Sequence, residues 1–177
     1  EIIIDVLEML VGFEFIETKK EKTNKKEDFV SANQIKKSYE KIDDYEINPT
    51  RLGIRISQLY LDRLSANYFI EKLAEEKKHN LAYLTMICSV PEIEPKIRAR
   101  SANKEEVEQK LLMNEQELFE VPNEYDFEYE DFIHAFNTAL CLQEWMNEKG
   151  EDYLLEKYNA MPGILNYKID IVDWLLY

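Results

Sequence analysis

The sequence predicts a mainly α-helical fold with a short β-hairpin near its start, on three observations. Leu, Ile, Glu, Lys and Gln, all good helix formers, recur throughout the 177 residues. Only four glycines and five prolines interrupt them, sparse for a β-sandwich or a loop-rich α/β enzyme. Apolar residues return at helical spacing over most of the chain. With 45% hydrophobic and 33% charged residues, one good core and a small appendage are within reach.

Residues 1–11 put Ile3, Val6, Leu7, Leu10 and Val11 on one helical stripe, with Gly12 placed to end it. FEFIE (13–17) alternates as a strand does. The lysine-rich run TKKEKTNKKED (18–28) has no periodicity and reads as a solvated loop, with a phosphate-contacting finger as the second reading. A short helix fits 29–42, and YEINPT (45–50) is a return strand closed by Pro49. Helix, strand, long loop, strand is the order of the end of a winged helix, here with its β-wing. From Thr50 the pattern turns helical: Leu52, Ile56, Leu59 and Tyr60 share a face, and Ser65 can cap a helix over 65–78. HNLAYLTMICSV (79–90) is apolar nearly all round, as a central buried helix requires, and Pro91 and Pro95 end it. A polar helix over 103–118 and the acidic, aromatic loop FEVPNEYDFEYED follow. A long amphipathic helix over 130–149 is closed by Gly150, and helices over 151–159 and from Pro162 finish the chain. The result is six or seven helices around 79–90 and 130–149.

Several chemistries are excluded. Four scattered glycines cannot form a phosphate-cradling loop, and G-x-S-x-G, H-E-x-x-H and C-x-x-C are absent. Two Cys and two His, far apart, give no zinc spacing. Cys88 and Cys141 lie in apolar helices and are expected as buried free thiols, which places the chain inside the cell. No apolar run reaches the roughly 20 residues that cross a bilayer, so no membrane is expected as a partner. There is no initiator Met, and helical patterning runs through both ends, so the sequence reads as an excerpt of a longer protein. A formal charge of −14 argues against free-standing DNA binding, though a local groove can differ from the average.

The remaining candidates have plain alternatives. His134 reads as a satisfied structural histidine, and Trp145 as core. Arg51 and Arg55, four apart, and the trio Lys96, Arg98 and Arg100 are solvated patches or, alternatively, phosphate contacts. On the last helix Leu165, Ile169, Val172 and Leu176 form an apolar stripe, whereas Tyr167, Asp170, Trp174 and Tyr177 fall on another face. That second face suits stacking on bases or packing on a neighbouring helix.

In order along the chain, TRLGIRISQLYLDRLSANYFIEKL, LTMICSVPEI, NTALCLQEWMNEKGEDYLLEKY and MPGILNYKIDIVDWLLY resemble successive stretches of archaeal Hjm-type helicases. These are superfamily-two, Ski-like DNA helicases related to the helicase part of DNA polymerase theta. The resemblance covers roughly residues 1–17 and 45–177, and four ordered motifs are more specific than any one alone. It implies that residues 1–50 are the end of a winged-helix domain and 51–177 a helical ratchet domain. The RecA-like motor domains, with ATP and Mg, would lie elsewhere in the same protein, leaving no cofactor and no catalytic residue in this chain. The implied activity is 3′ to 5′ unwinding at stalled or damaged forks, with single-stranded or forked DNA as partner.

The family's ratchet helix carries a base-stacking tryptophan, matched by Trp174, and an arginine two turns earlier, whose position holds Tyr167. Asn166 stands where a second basic residue is common, and Lys168 is the nearby cation expected to meet phosphate. Arg51 and Arg55 are implied as backbone contacts or as packing against the motor. The sequence departs from the family's Gly-Pro-Gly-Asp turn, reading Met161-Pro162-Gly163-Ile164, and has Arg63 where proline is usual. The rival reading is a helical protein-interaction or scaffold module without DNA binding.

Overall fold

The computed structural model describes residues 2–20, 45–77 and 79–176. Eight α-helices and one two-stranded antiparallel sheet are formed among them, in the order α1 (Ile2–Gly12), β1 (Ile16–Lys20), β2 (Tyr45–Pro49), α2 (Arg51–Leu59), α3 (Arg63–Leu73), α4 (Asn80–Cys88), α5 (Lys104–Asn114), α6 (Tyr129–Met146), α7 (Glu151–Tyr158) and α8 (Pro162–Leu176). The mainly α class and the helix–strand–strand start agree with the sequence. The expected helix over 29–42 and most of the lysine-rich run lie outside the described residues. The chain divides into two compact units, Glu1–Asn67 and Tyr68–Tyr177.

In the first unit β1 and β2 pair from Ile16 opposite Pro49 to Lys20 opposite Tyr45. Its small core is Phe15, Ile56 and Ala66, with Leu10, Phe13 and Leu61 against it. No residue of α1 is buried, and Ile2 and Ile3 are exposed, so its apolar stripe is only partly used. Gly12 ends α1 as expected, as the helix's last residue, and Glu14, at φ 59°, makes the left-handed turn into β1. Thr50 joins hairpin to helix. Its N–H donates to the Phe15 carbonyl, its hydroxyl donates to the Glu14 carbonyl at 2.8 Å and accepts from the Gly53 N–H at 3.0 Å. A β-carbon on Gly53 would lie 2.0 Å from the Phe15 carbonyl oxygen, so only glycine lets α2 approach the strand here. The cap of α3 is Asp62 rather than Ser65: Asp62 Oδ1 accepts from the Leu64 N–H at 2.8 Å, while Ser65 is buried one turn in.

The second unit is built on α4 and α6. Every residue of α4 from Leu81 to Cys88 except Tyr83 is buried, as its all-round apolar sequence requires, and it packs most extensively on α6. The hydroxyls of Thr85 and Ser89 donate to the carbonyls of Leu81 and Thr85, both at 2.8 Å, so polar side chains inside this helix are satisfied by its own backbone. Around the pair gather Ile93, Ile97, Val107, Leu111, Leu154, Tyr158 and Leu165.

Two expectations fail at the end of α6. Gly150 does not close it: Asn147 is the C-cap, Glu148 takes the left-handed conformation, and Gly150 precedes α7 as its N-cap. Trp145 is not core but 41% exposed. The buried run of α6 stops at Leu142, and its last turn, with Trp145 and Met146, is exposed. Cys88 and Cys141 are buried free thiols, and burial pushes both up to about 12, leaving them protonated and unreactive.

Candidate nucleic-acid interface

Pro162 opens α8, where its missing N–H costs nothing, and the Leu165 N–H donates to the Met161 carbonyl at 2.9 Å. Leu165 and Lys168 are buried, with Ile169, Ile171, Val172 and Leu175 half-buried behind them. Leu176, expected on this stripe, is exposed, and Leu175 takes its place. The opposite face presents Asn166, Tyr167, Asp170, Asp173 and Trp174 to solvent. Tyr167 is 49% and Trp174 36% exposed, and both lie off the stripe that reaches the core. The expected face omits Asp173, whose carboxylate stands beside Trp174 in sequence. Tyr177 lies outside the described residues.

Lys168 requires a correction. Expected to meet phosphate, it is fully buried, and its ammonium donates to the carbonyl of Ile93, in the 3₁₀ turn Pro91–Ile93. The Tyr167 ring centroid lies 5.0 Å from its Nζ. Burial lowers its pKa, opposed by the charge of Glu94. A helix position between two half-buried turns points into the protein whatever its charge, and a long flexible lysine can reach a backbone acceptor there. Lys168 is the only cation in α8, so the helix exposes two carboxylates and no positive charge.

Arg51 and Arg55 are exposed on α2, in the first unit. Of the predicted residues, the structure therefore brings Asn166, Tyr167 and Trp174 onto one exposed face and sets Lys168 on the other.

After the turn Pro91–Ile93 runs an irregular stretch held by side chains of α6. The Ile97 N–H donates to Thr138 Oγ1 at 2.8 Å, Asn137 Nδ2 donates to the Ile97 carbonyl at 2.9 Å, and the Ala99 N–H donates to His134 Nδ1 at 3.2 Å. His134 is thus the satisfied structural histidine expected. Burial lowers its pKa first, with Arg98 adding to the effect and Glu130 opposing it. The trio Lys96, Arg98 and Arg100 divides: Lys96 bonds Asp131 at 2.5 Å and Glu94 at 3.1 Å, whereas both arginines are exposed. In the acidic loop before α6, Tyr125 and Phe127 are almost wholly exposed. Among the described residues no group of His, Cys, Asp and Glu side chains could hold a metal ion, and no helix is long and apolar enough to cross a membrane.

The family model described as archaeal helicase, domain 4, matches residues 81–177, which takes in nearly all of α4 and everything through α8. The chain belongs to the archaeal Hel308-type helicases. It is 38% identical over 73% of its length to the ATP-dependent DNA helicase Hel308 of Methanocaldococcus jannaschii. It is 33% identical over 97% of its length to the Hel308 of Methanococcus vannielii, and 33% identical over 75% to that of Pyrococcus abyssi. The chain spans 10%, 24% and 18% of those three relatives, respectively. Within this Hel308-type chain the whole exposed aromatic face of α8 falls inside the domain-4 match.

Proposed function

We propose that this chain is the strand-holding region of an ATP-dependent 3′ to 5′ DNA helicase that works at stalled or damaged replication forks. Residues 1–50 are the end of its winged helix and 51–177 its ratchet domain, and RecA-like motor domains of the same protein supply ATP and Mg chemistry. Trp174 stacks on a base of the unwound strand, Tyr167 is a second stacking or polar contact, and Asn166 adds a hydrogen bond. Arg51 and Arg55 contact the backbone or pack against the motor. The observation that carries this reading is the exposure of Tyr167 and Trp174 on a face of α8 that the core does not use. Stacking suits a strand-holding role because every base has a π-face, so grip does not depend on sequence.

The test is Trp174→Ala in the full-length protein. Single-strand affinity and unwinding should fall while the unfolding midpoint stays nearly unchanged. Unfolding of the variant, or full unwinding by it, would sink the assignment. One observation favours a second reading, docking of a protein partner on α8: its exposed charges are Asp170 and Asp173 alone. Under that reading Trp174→Ala leaves strand affinity untouched.

A further inference from the structure

We propose that Arg98 and Arg100 form a phosphate-binding strip that grips the backbone of the single strand whose bases meet α8. This rests on the stacking role just given for α8 and adds what that helix lacks. Stacking leaves the strand's charge unanswered, and affinity for nucleic acid depends on neutralising phosphates. The exposed charges of α8 are carboxylates, Asp170 and Asp173.

The described lysines of the second unit are otherwise engaged. Five lie within 4.0 Å of a carboxylate, two sit over aromatic rings, and Lys168 is buried. Arg98 and Arg100 are exposed, and neither makes an ion pair among the described residues.

Their placement follows the burial of their neighbours: Ile97 is buried and Ala99 half-buried against the core, while Arg98 and Arg100 are exposed. The backbone beneath is pinned: Ile97 at both its N–H and its carbonyl, Ala99 at its N–H, and Arg100 at its N–H by Asn103 Oδ1 at 2.7 Å. Lys96 draws Asp131 and Glu94 onto itself, so these two neighbouring carboxylates do not neutralise the arginines. Lys168 ties α8 to Ile93, five residues before Arg98 in the chain. Each planar guanidinium can take a phosphate with two parallel hydrogen bonds, from a support that does not have to be ordered on binding.

The experiment titrates the full-length protein into a fluorescein-labelled thymidine oligonucleotide and follows anisotropy from 50 to 200 mM salt. Each phosphate contact to a single strand contributes about 0.7 to the slope of log affinity against log salt, so Arg98→Gln with Arg100→Gln should flatten it by about 1.4. Affinity should fall roughly tenfold or more at 0.1 M salt. The double lysine variant should keep the slope, and Trp174→Ala should weaken binding with the slope intact. If the glutamine variant binds with unchanged slope while Trp174→Ala still weakens binding, the strip is wrong and the role of α8 stands. If Trp174→Ala changes nothing but the glutamine variant flattens the slope, the strip stands without its partner helix. Unchanged binding in both variants overturns the two together.

Discussion

The helices α6 and α8 treat their polar residues alike but differ in how much of their aromatic surface the core takes up. Both turn polar side chains inward to the backbone of residues 93–99. His134, Asn137 and Thr138 of α6 satisfy the backbone of Ile97 and Ala99, and Lys168 of α8 satisfies the carbonyl of Ile93. A buried backbone group without a partner is costly, and side chains satisfy both the carbonyl of Ile93, at the end of its 3₁₀ turn, and the irregular residues 97–99. The aromatics differ: on α6 Phe136 is wholly buried, Tyr129 and Phe132 are half-buried and only Trp145, in the last turn, is exposed, whereas Tyr167 and Trp174 of α8 both face solvent. A polar residue within a helix is therefore a poor marker of a site in this protein. An exposed aromatic that the core does not need is a better one.

The sharpest break of this comparison is at Lys168. Lys168→Ala empties a buried position and strips the Ile93 carbonyl of its donor, and should cost about 3 kcal/mol in urea unfolding. Lys168→Met keeps the volume and loses only the hydrogen bond, about 1–2 kcal/mol. Strand affinity of the folded fraction should be unchanged in both, since the ammonium does not reach solvent. A large loss of affinity with stability intact would return Lys168 to the interface. On α6, Asn137→Ala frees the Ile97 carbonyl and should cost about 2 kcal/mol, with faster hydrogen exchange through residues 97–99.

How much of this was legible in the sequence depended on whether a residue's neighbours were also its neighbours in sequence. Periodicity marked α4 as buried, because a nine-residue helix apolar on every side has no solvent face to offer. It also separated the two faces of α8, and the order of helix and strands around residues 1–49 followed from alternation. It failed on Lys168, because period alone says where a position points, and charge was allowed to outweigh it. It failed on Trp145 because period says which face of α6 is apolar and not where along the helix burial ends, here at Leu142. Gly150 misled because the left-handed position after α6 went to Glu148, at an exposed turn, while the glycine stands before α7. The division of labour between Lys96 and the arginines was invisible, since Asp131 lies 35 residues away in sequence.

A weaker test concerns pH and α6. Burial holds His134 below the ordinary histidine value, and its Nδ1 accepts a hydrogen bond that protonation would abolish. The unfolded chain therefore binds this proton first. Stability from this group is full above about pH 6.5 and is lost as pH falls toward the lower folded value. Urea midpoints should decline from pH 7 to pH 5, and His134→Asn, which keeps an acceptor, should flatten that decline. An equal decline in the variant would put its origin elsewhere.

The smallest expected effect on stability is also the most discriminating, and it lies with the two tryptophans. Trp145 ends α6 at 41% exposure and Trp174 ends α8 at 36%, so the core holds neither fully. Replacing either by Ala should change stability by less than about 1 kcal/mol, as surface sites do. Their effect on strand binding should separate them. Stacking on one base is worth about 1–3 kcal/mol, so Trp174→Ala should weaken binding roughly five- to 150-fold while Trp145→Ala leaves it alone. Nothing in exposure or residue type distinguishes the pair. The difference rests on position alone: Trp174 shares its exposed face with Tyr167, two helical turns away, whereas Trp145 stands by itself in the last turn of α6. Equal losses at both sites would mean that any exposed tryptophan on this acidic surface attracts a strand, and the face of α8 would have no special claim.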